Sequence, residues 1–346
     1  MKSSIYKNGL IIAGPCSVES EDQLWETAID LIKTGKVDIF RAGIWKPRTH
    51  PDLFNGVGEI GLKWLLDLKK ETRIISAVEI ATVKQLELAQ KYEVDIVWIG
   101  ARTTINPFIV DEISHYLKDS SQSVLIKNPI NPNLEAWVGA VERFQINNVQ
   151  NIGIVHRGFS VYDKTIYRNA PIWEIPLEMK KRFPGIPMIC DPSHICGNTS
   201  NLLEISKKSI QMGFDGLMLE VHNNPDSALT DKDQQLTPEE FLKILNLIVL
   251  EKNLVDSEED KIRLLRNQID LLDQGILQQI KHRMSLIEEV GMLKKENNMN
   301  VLQPDRWKEV LTNNIKLARK FNLDIDFVKK YMENIHTESI RLQNQI

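Results

Sequence analysis

Short β-rich runs recur along the first 250 residues at a nearly constant spacing, and this repetition constrains the fold more than any other feature. They cover residues 10–13, 37–41, 73–78, 95–99, 124–127, 152–155, 187–190 and 216–221. Successive runs start roughly 30 residues apart, the size of one βα unit. Amphipathic stretches with helical periodicity lie between them, at 21–32, 62–70, 83–92, 202–212 and 238–249. Strict alternation of strand and helix predicts a parallel sheet. Eight repeats in this length predict a closed (β/α)8 barrel, an α/β fold, rather than an open doubly wound sheet. Neither G-x-G-x-x-G nor G-x-x-x-x-G-K-[ST] occurs, which argues against a dinucleotide or P-loop site.

The grammar changes near residue 250. Of 17 glycines only Gly275 and Gly291 lie beyond it, and of 14 prolines only Pro304. Residues 261–296 carry Ile262, Leu265, Ile269, Leu272, Ile276, Ile280, Met284 and Ile287 at intervals of three or four, which predicts one long amphipathic helix. The expected organisation is a barrel over 1–252, an acidic linker over 253–260 and a small all-α domain over 261–346. A net charge of −4 and a pI near 6.0 exclude a general nucleic-acid binder. No apolar run is long enough to span a bilayer, so no membrane association is expected. Three cysteines cannot make a disulfide framework, and a reducing cytoplasm is the expected setting.

A barrel of this kind works at the C-terminal ends of its strands. Those ends carry Gly14-Pro15-Cys16-Ser17, Arg41 with Lys46-Pro47-Arg48-Thr49, Gly100-Ala101-Arg102, Lys127, His156-Arg157-Gly158, Asp191-Pro192-Ser193-His194, and Glu220-Val221-His222 followed by Asp231. Arg41, Lys46, Arg48, Arg102, Lys127 and Arg157 form a cationic set that fits one or two phosphorylated small molecules, because guanidinium forks match phosphate and carboxylate geometry. The plainer alternative pairs each cation with a barrel carboxylate. Cys16, His194, Glu220 and Asp231 form a second set, with the donor atoms of a mixed S/N/O transition-metal shell. Taken singly, Cys16 also reads as a small core residue and His194 as a structural histidine. Cys190 lies within an apolar run and reads as core.

In this order the motifs resemble those of the 3-deoxy-D-arabino-heptulosonate 7-phosphate (DAHP) synthases, in the short single-barrel branch. The resemblance covers the whole barrel. It implies condensation of phosphoenolpyruvate with erythrose 4-phosphate, with one divalent metal on Cys16, His194, Glu220 and Asp231. Manganese heads the ions such a shell suits, followed by iron, cobalt and zinc. It also implies phosphoenolpyruvate contacts at Ala101, Arg102, Lys127 and Arg157, and erythrose-phosphate contacts at Arg41, Lys46, Arg48 and Thr49. Lys127 and His194 are the catalytic proton-handling options. Thr103-Thr104 after Arg102, and His50 after Thr49, depart from the commoner family pattern; His50 bears on the sugar-phosphate pocket. The related sialic-acid and 3-deoxy-octulosonate 8-phosphate synthases lack Lys-Pro-Arg-Thr and rank below.

The tail resembles the all-helical chorismate mutases, which are intertwined three-helix dimers. The resemblance implies chorismate and prephenate contacts at Arg266 (from a second copy), Arg283, Lys294, Arg306, Ser339 and Gln343, with Arg283 and Lys294 catalytic. The spacing agrees: Arg266 and Lys294 are 28 residues apart, roughly 42 Å along one helix, too far to share a small ligand within one chain. An antiparallel homodimer would bring them together. Trp307 stands where relatives often place a glutamate, a departure that bears on mutase rate. The expected protein is therefore bifunctional, with feedback by chorismate or prephenate on the barrel. Two rivals are a tail that only dimerises and senses ligand, and a metal-dependent aldolase barrel.

Overall fold

The computed structural model describes residues 9–46, 50, 52–162, 165–252 and 258–346. The chain folds into two compact units, Met1–Leu264 and Leu265–Ile346.

The first unit is a closed barrel of eight parallel strands in chain order. They are β1 (Leu10–Gly14), β2 (Ile39–Ala42), β3 (Ile75–Ile80), β4 (Ile96–Ile99), β5 (Ser123–Lys127), β6 (Ile152–His156), β7 (Met188–Cys190) and β8 (Gly216–Glu220). The ring closes through β1 and β8, with Leu10 opposite Gly216 and Gly14 opposite Glu220. The expected runs match these strands to within a few residues. The largest differences are at β2, which starts two residues later, and β3, which is shifted two residues toward Ile80.

Alternate residues fill the interior. Ile12, Ile39, Ala77, Ile96, Trp98, Leu125, Val155, Ile189 and Met218 form one buried cluster. Two residues further along six of the strands, the same inward direction carries Gly14, Arg41, Glu79, Lys127, Asp191 and Glu220. The apolar layers thus form the floor beneath a charged layer. The surrounding helices bury apolar stripes against the sheet, and several start at side-chain caps: Ser20 on Gln23 N, Thr82 on Gln85 N, Asn133 on Ala136 N.

The second unit is helical. It takes in the helix Glu258–Glu296, of 39 residues, from Leu265 onward, followed by Pro304–Lys320 and Ile325–Gln343. The long helix begins three residues before the predicted start, taking in part of the acidic segment; residues 253–257 lie outside the described residues. Ile262, Leu265, Ile269, Leu272 and Ile276 are exposed along it. Among the described residues, no helix is long and apolar enough to cross a membrane.

Candidate active site

The charged layer opens into a cavity of about 530 Å³ at the C-terminal mouth of the barrel. Lys46, His50, Glu79, Ala101, Arg102, Lys127, Arg157, Arg168, Asn169, His194 and Asp231 line it. Arg48 and Thr49 lie outside the described residues.

Cys16, Glu220 and Asp231 meet at one edge, each offering a ligand atom within 4.8 Å of the others. Glu220 ends β8, and Cys16 follows β1 by two residues. Gly14 lets the end of β1 pass close to β2: a Cβ there would lie 2.1 Å from the Arg41 carbonyl oxygen. Asp231 is held in the left-handed region, at φ 45°, a conformation that aspartate tolerates better than most residues. His194 lies beside the group, with Nε2 3.8 Å from Glu220 Oε1. Its other ring nitrogen, Nδ1, is 2.9 Å from Asp191 Oδ2, an arrangement that fixes the tautomer and leaves Nε2 as a donor atom for a metal. Cys16, Glu220 and Asp231 fit a divalent transition ion by chemistry and by convergence, and His194 adds an imidazole nitrogen beside Glu220.

Nearby donors, three of them cationic, engage the same side chains. Lys46 Nζ donates to Cys16 Sγ at 3.1 Å, and Arg41 Nη2 to Glu220 Oε1 at 2.9 Å. Arg168 Nη1 donates to Asp231 Oδ1 at 3.0 Å, and Gln234 Nε2 to Glu220 Oε2 at 2.6 Å. Burial, reinforced by Glu220, pushes the Cys16 thiol up to about 12, although Lys46 opposes this. Burial also pushes the Glu220 and Asp231 carboxyls up, but the surrounding cations outweigh it, and both stay below the ordinary carboxylate range. Metal binding therefore entails loss of a thiol proton.

The plainer pairing is realised for two of the cations: Arg41 pairs with Glu220, and Lys127 Nζ with Asp191 Oδ2 at 2.8 Å. Arg41 Nε and Nη1 are nevertheless buried with no hydrogen-bond partner among the described residues. Arg157 Nη1 rests on Asn169 Oδ1 at 2.9 Å, and Asn169 Nδ2 donates to the His194 carbonyl at 2.6 Å. Burial brings the Arg157 guanidinium down to about 10 and lowers the Lys127 ammonium, in each case against Asp191. Cys190 is a buried free thiol in β7, in line with its core reading, and Cys196 is buried as well.

Glu79, Asp191 as an anchor, Arg168 and Asn169 are additions to the predicted set. Glu79 accepts from Trp98 Nε1 at 3.0 Å. A Cβ on Gly100 would lie 2.2 Å from its Oε1, so the glycine of the Gly-Ala-Arg motif makes room for this carboxylate.

In the helical unit, Arg283 Nη1 donates to Ser339 Oγ at 2.6 Å, and Gln343 Nε2 to the Ser339 carbonyl at 3.2 Å. Gln343 Oε1 is buried and has no hydrogen-bond partner among the described residues. Lys294 Nζ donates to the Val301 carbonyl at 2.7 Å. Arg306 instead pairs on its own helix with Glu309 at 2.6 Å. Arg266 is exposed, roughly 25 Å up the same helix from Arg283. Trp307 stacks on His336 with centroids 4.0 Å apart and planes at 10°.

Residues 7–255 match the family model described as DAHP synthetase I family, and residues 265–344 match that of chorismate mutase type II. A phospho-2-dehydro-3-deoxyheptonate aldolase of Thermotoga maritima is 32% identical over 235 residues, covering 68% of this chain and 67% of the relative. A 2-dehydro-3-deoxyphosphooctonate aldolase of Syntrophotalea carbinolica is 26% identical over 254 residues, covering 68% and 87%. The crystal structure of a DAHP synthase from Thermotoga maritima superposes with a TM-score of 0.63 at 29% identity, covering 71% of this chain and 69% of that one. The chain belongs to the DAHP synthetase I family and carries a chorismate mutase type II domain behind its barrel.

Proposed function

We propose that the barrel condenses phosphoenolpyruvate with D-erythrose 4-phosphate, releasing DAHP and phosphate, and that it depends on one divalent ion, Mn²⁺ before Fe²⁺, Co²⁺ or Zn²⁺. The observation that carries this is the Cys16–Glu220–Asp231 cluster, which reaches the cavity at Asp231, beside His194 and a wall of Lys46, Arg102, Lys127 and Arg157. A bound ion would supply Lewis-acid polarisation of the aldehyde oxygen. Ala101, Arg102, Lys127 and Arg157 bind and orient phosphoenolpyruvate, and Arg41, Lys46, Arg48 and Thr49 hold the sugar phosphate. Fixing two like-charged substrates in attack geometry is worth several kcal/mol. The enol carbon attacks the aldehyde, water adds at C2, and phosphate leaves by C–O cleavage. Lys127 or His194 handles the proton, both facing the cavity.

The helical unit is proposed to convert chorismate to prephenate as an antiparallel homodimer. Arg283, Ser339 and Gln343 already converge in one chain, with Lys294 on the same helix as Arg283. Arg266 of a second copy would complete the grip on the two carboxylates. The exposed apolar stripe from Ile262 to Ile276 supports that pairing. Chorismate or prephenate bound there is proposed to inhibit the barrel, which requires two states of different ligand affinity. Unchanged condensation kinetics at saturating prephenate, with mutase activity intact, overturn this part.

Loss of the enol absorbance on mixing metal-loaded protein with both substrates tests the barrel reading. The expected result is consumption with erythrose 4-phosphate, with release of inorganic phosphate, and little with arabinose 5-phosphate. The reverse preference, or aldehyde consumption without phosphate release, overturns it. Turnover of chorismate by the tail separates a mutase from a module that only dimerises and senses ligand.

A further inference from the structure

Three side chains of the charged layer lean on one neutral residue. Trp98 is fully buried in β4, inward-facing between the apolar floor and the cavity, and it is the register partner of Glu79 on β3. Its indole N–H donates to Glu79 Oε2 at 3.0 Å. The Arg41 guanidinium carbon lies over its ring 5.3 Å from the centroid, and Lys127 Nζ lies 5.5 Å from the same centroid. These three groups come from β2, β3 and β5, and Trp98 is the side chain they share. An aliphatic side chain would fill the volume, but it would lack both the negative π face that attracts cations and the N–H that aims the carboxylate. Gly100 leaves room for this carboxylate, since a Cβ there would fall 2.2 Å from Oε1.

We propose that Trp98 is a positioning residue for the barrel reaction. Its ring spaces the buried charges of Arg41 and Lys127, and its N–H fixes the direction of the Glu79 carboxylate at the cavity wall. The proposal rests on the condensation reading for its kinetic consequences. Its binding consequences concern phosphoenolpyruvate alone.

The two roles separate by substitution. Trp98→Phe keeps a ring face and removes the N–H; Trp98→Leu removes both. The experiment uses the full-length metal-loaded protein and compares these variants with Glu79→Gln and the double variant Trp98→Phe/Glu79→Gln. It reads kcat, KM, phosphoenolpyruvate affinity by calorimetry without the second substrate, and melting temperature. Trp98→Phe is expected to keep phosphoenolpyruvate KM and Kd within about 3-fold while kcat falls about 10-fold, as in Glu79→Gln. The double variant is expected to be no slower than Glu79→Gln, because both changes break one link. Trp98→Leu is expected to weaken phosphoenolpyruvate binding about 10-fold or more, with Trp98→Phe restoring it. A wild-type kcat in Trp98→Phe, multiplied defects in the double variant, or a Trp98→Leu protein that melts earlier yet binds normally, overturns the proposal. If the parent protein binds phosphoenolpyruvate but does not condense it, the condensation reading fails, and the affinity arm still decides the role of the ring.

Discussion

Asp191 and His194 are joined twice: the carboxylate meets the imidazole Nδ1 at 2.9 Å and also accepts the His194 backbone N–H at 3.2 Å. The pair sits where a strand end becomes a short helix, so the contact that caps the backbone also aims the ring. The same carboxylate takes Lys127 Nζ at 2.8 Å and thereby ties the proposed metal side of the cavity to the proposed phosphoenolpyruvate side. Asp191→Asn is expected to lower Mn²⁺ affinity about 10- to 100-fold, the usual cost of losing a carboxylate behind a ligating histidine. It should also destabilise the barrel by about 3 kcal/mol, because the buried ammonium loses its counter-charge. Calorimetric Mn²⁺ titration checks the first effect and thermal melting the second. Wild-type affinity in Asp191→Asn would count against His194 as a ligand.

The two proposed activities should be separable by single changes. Cys16→Ala is expected to abolish metal-dependent condensation and leave chorismate turnover within about 2-fold. Arg283→Ala should do the reverse, since its guanidinium is bound to Ser339 within the helical unit. Parallel assays of both reactions on each variant check this. Full metal-dependent condensation by Cys16→Ala contradicts the coordination.

Gly100→Ala places a methyl 2.2 Å from Glu79 Oε1, so the carboxylate, which accepts from Trp98 Nε1 through Oε2, has to shift. Overpacking of this kind costs about 1–3 kcal/mol. A melting temperature lower by several degrees, with kcat lowered about 10-fold as in Glu79→Gln, is the expected outcome. A variant with unchanged melting and kcat would show that Glu79 moves freely.

His156 is wholly buried behind β6, among Phe159, Trp173 and Phe214. Burial, and next the charge of Arg157, push its imidazole down to about 3. Below about pH 6.5 the unfolded chain takes up a proton that the folded barrel refuses. This stability contribution is therefore complete above about 6.5 and is lost as pH falls from there toward 3. Each pH step of one in that window is worth about 1.4 kcal/mol, so His156→Phe, which suits the aromatic surroundings, should relieve a few kcal/mol of acid destabilisation by about pH 4. Denaturant unfolding of both proteins across this acid range measures the effect. Parallel pH curves would contradict it.

Much of this is legible in the sequence because a barrel repeats one local rule. The strand and helix periods place Arg41, Lys127, His194 and Glu220 at the mouth without any knowledge of the closed ring. Glu79 escapes that reading because the third β-rich run ends at Val78. The alternation of Ile75, Ala77 and Glu79 into the interior is the signal that finds it. Arg168 and Asn169 lie in an irregular loop with no periodicity to mark them. Their partners Asp231 and Arg157 are neighbours only in the folded chain. The metal group is marked by no spacing: Cys16 and Asp231 touch across a separation of 215 residues, and the strand ends group them only as candidates until the motif resemblance joins them. In the tail, the helical period predicts the long helix, but a single chain does not bring Arg266 to Arg283.

Equilibrium binding of Mn²⁺ to the full-length protein tests the central claim most directly, when compared across Cys16→Ala, His194→Ala, Glu220→Gln and Asp231→Asn. The account predicts one ion per chain in the parent, with affinity reduced about 100-fold or more in each variant, while mutase activity and melting of the helical unit stay unchanged. Parent-like binding in Cys16→Ala and Asp231→Asn would contradict it, because the two side chains already in contact would then not share an ion.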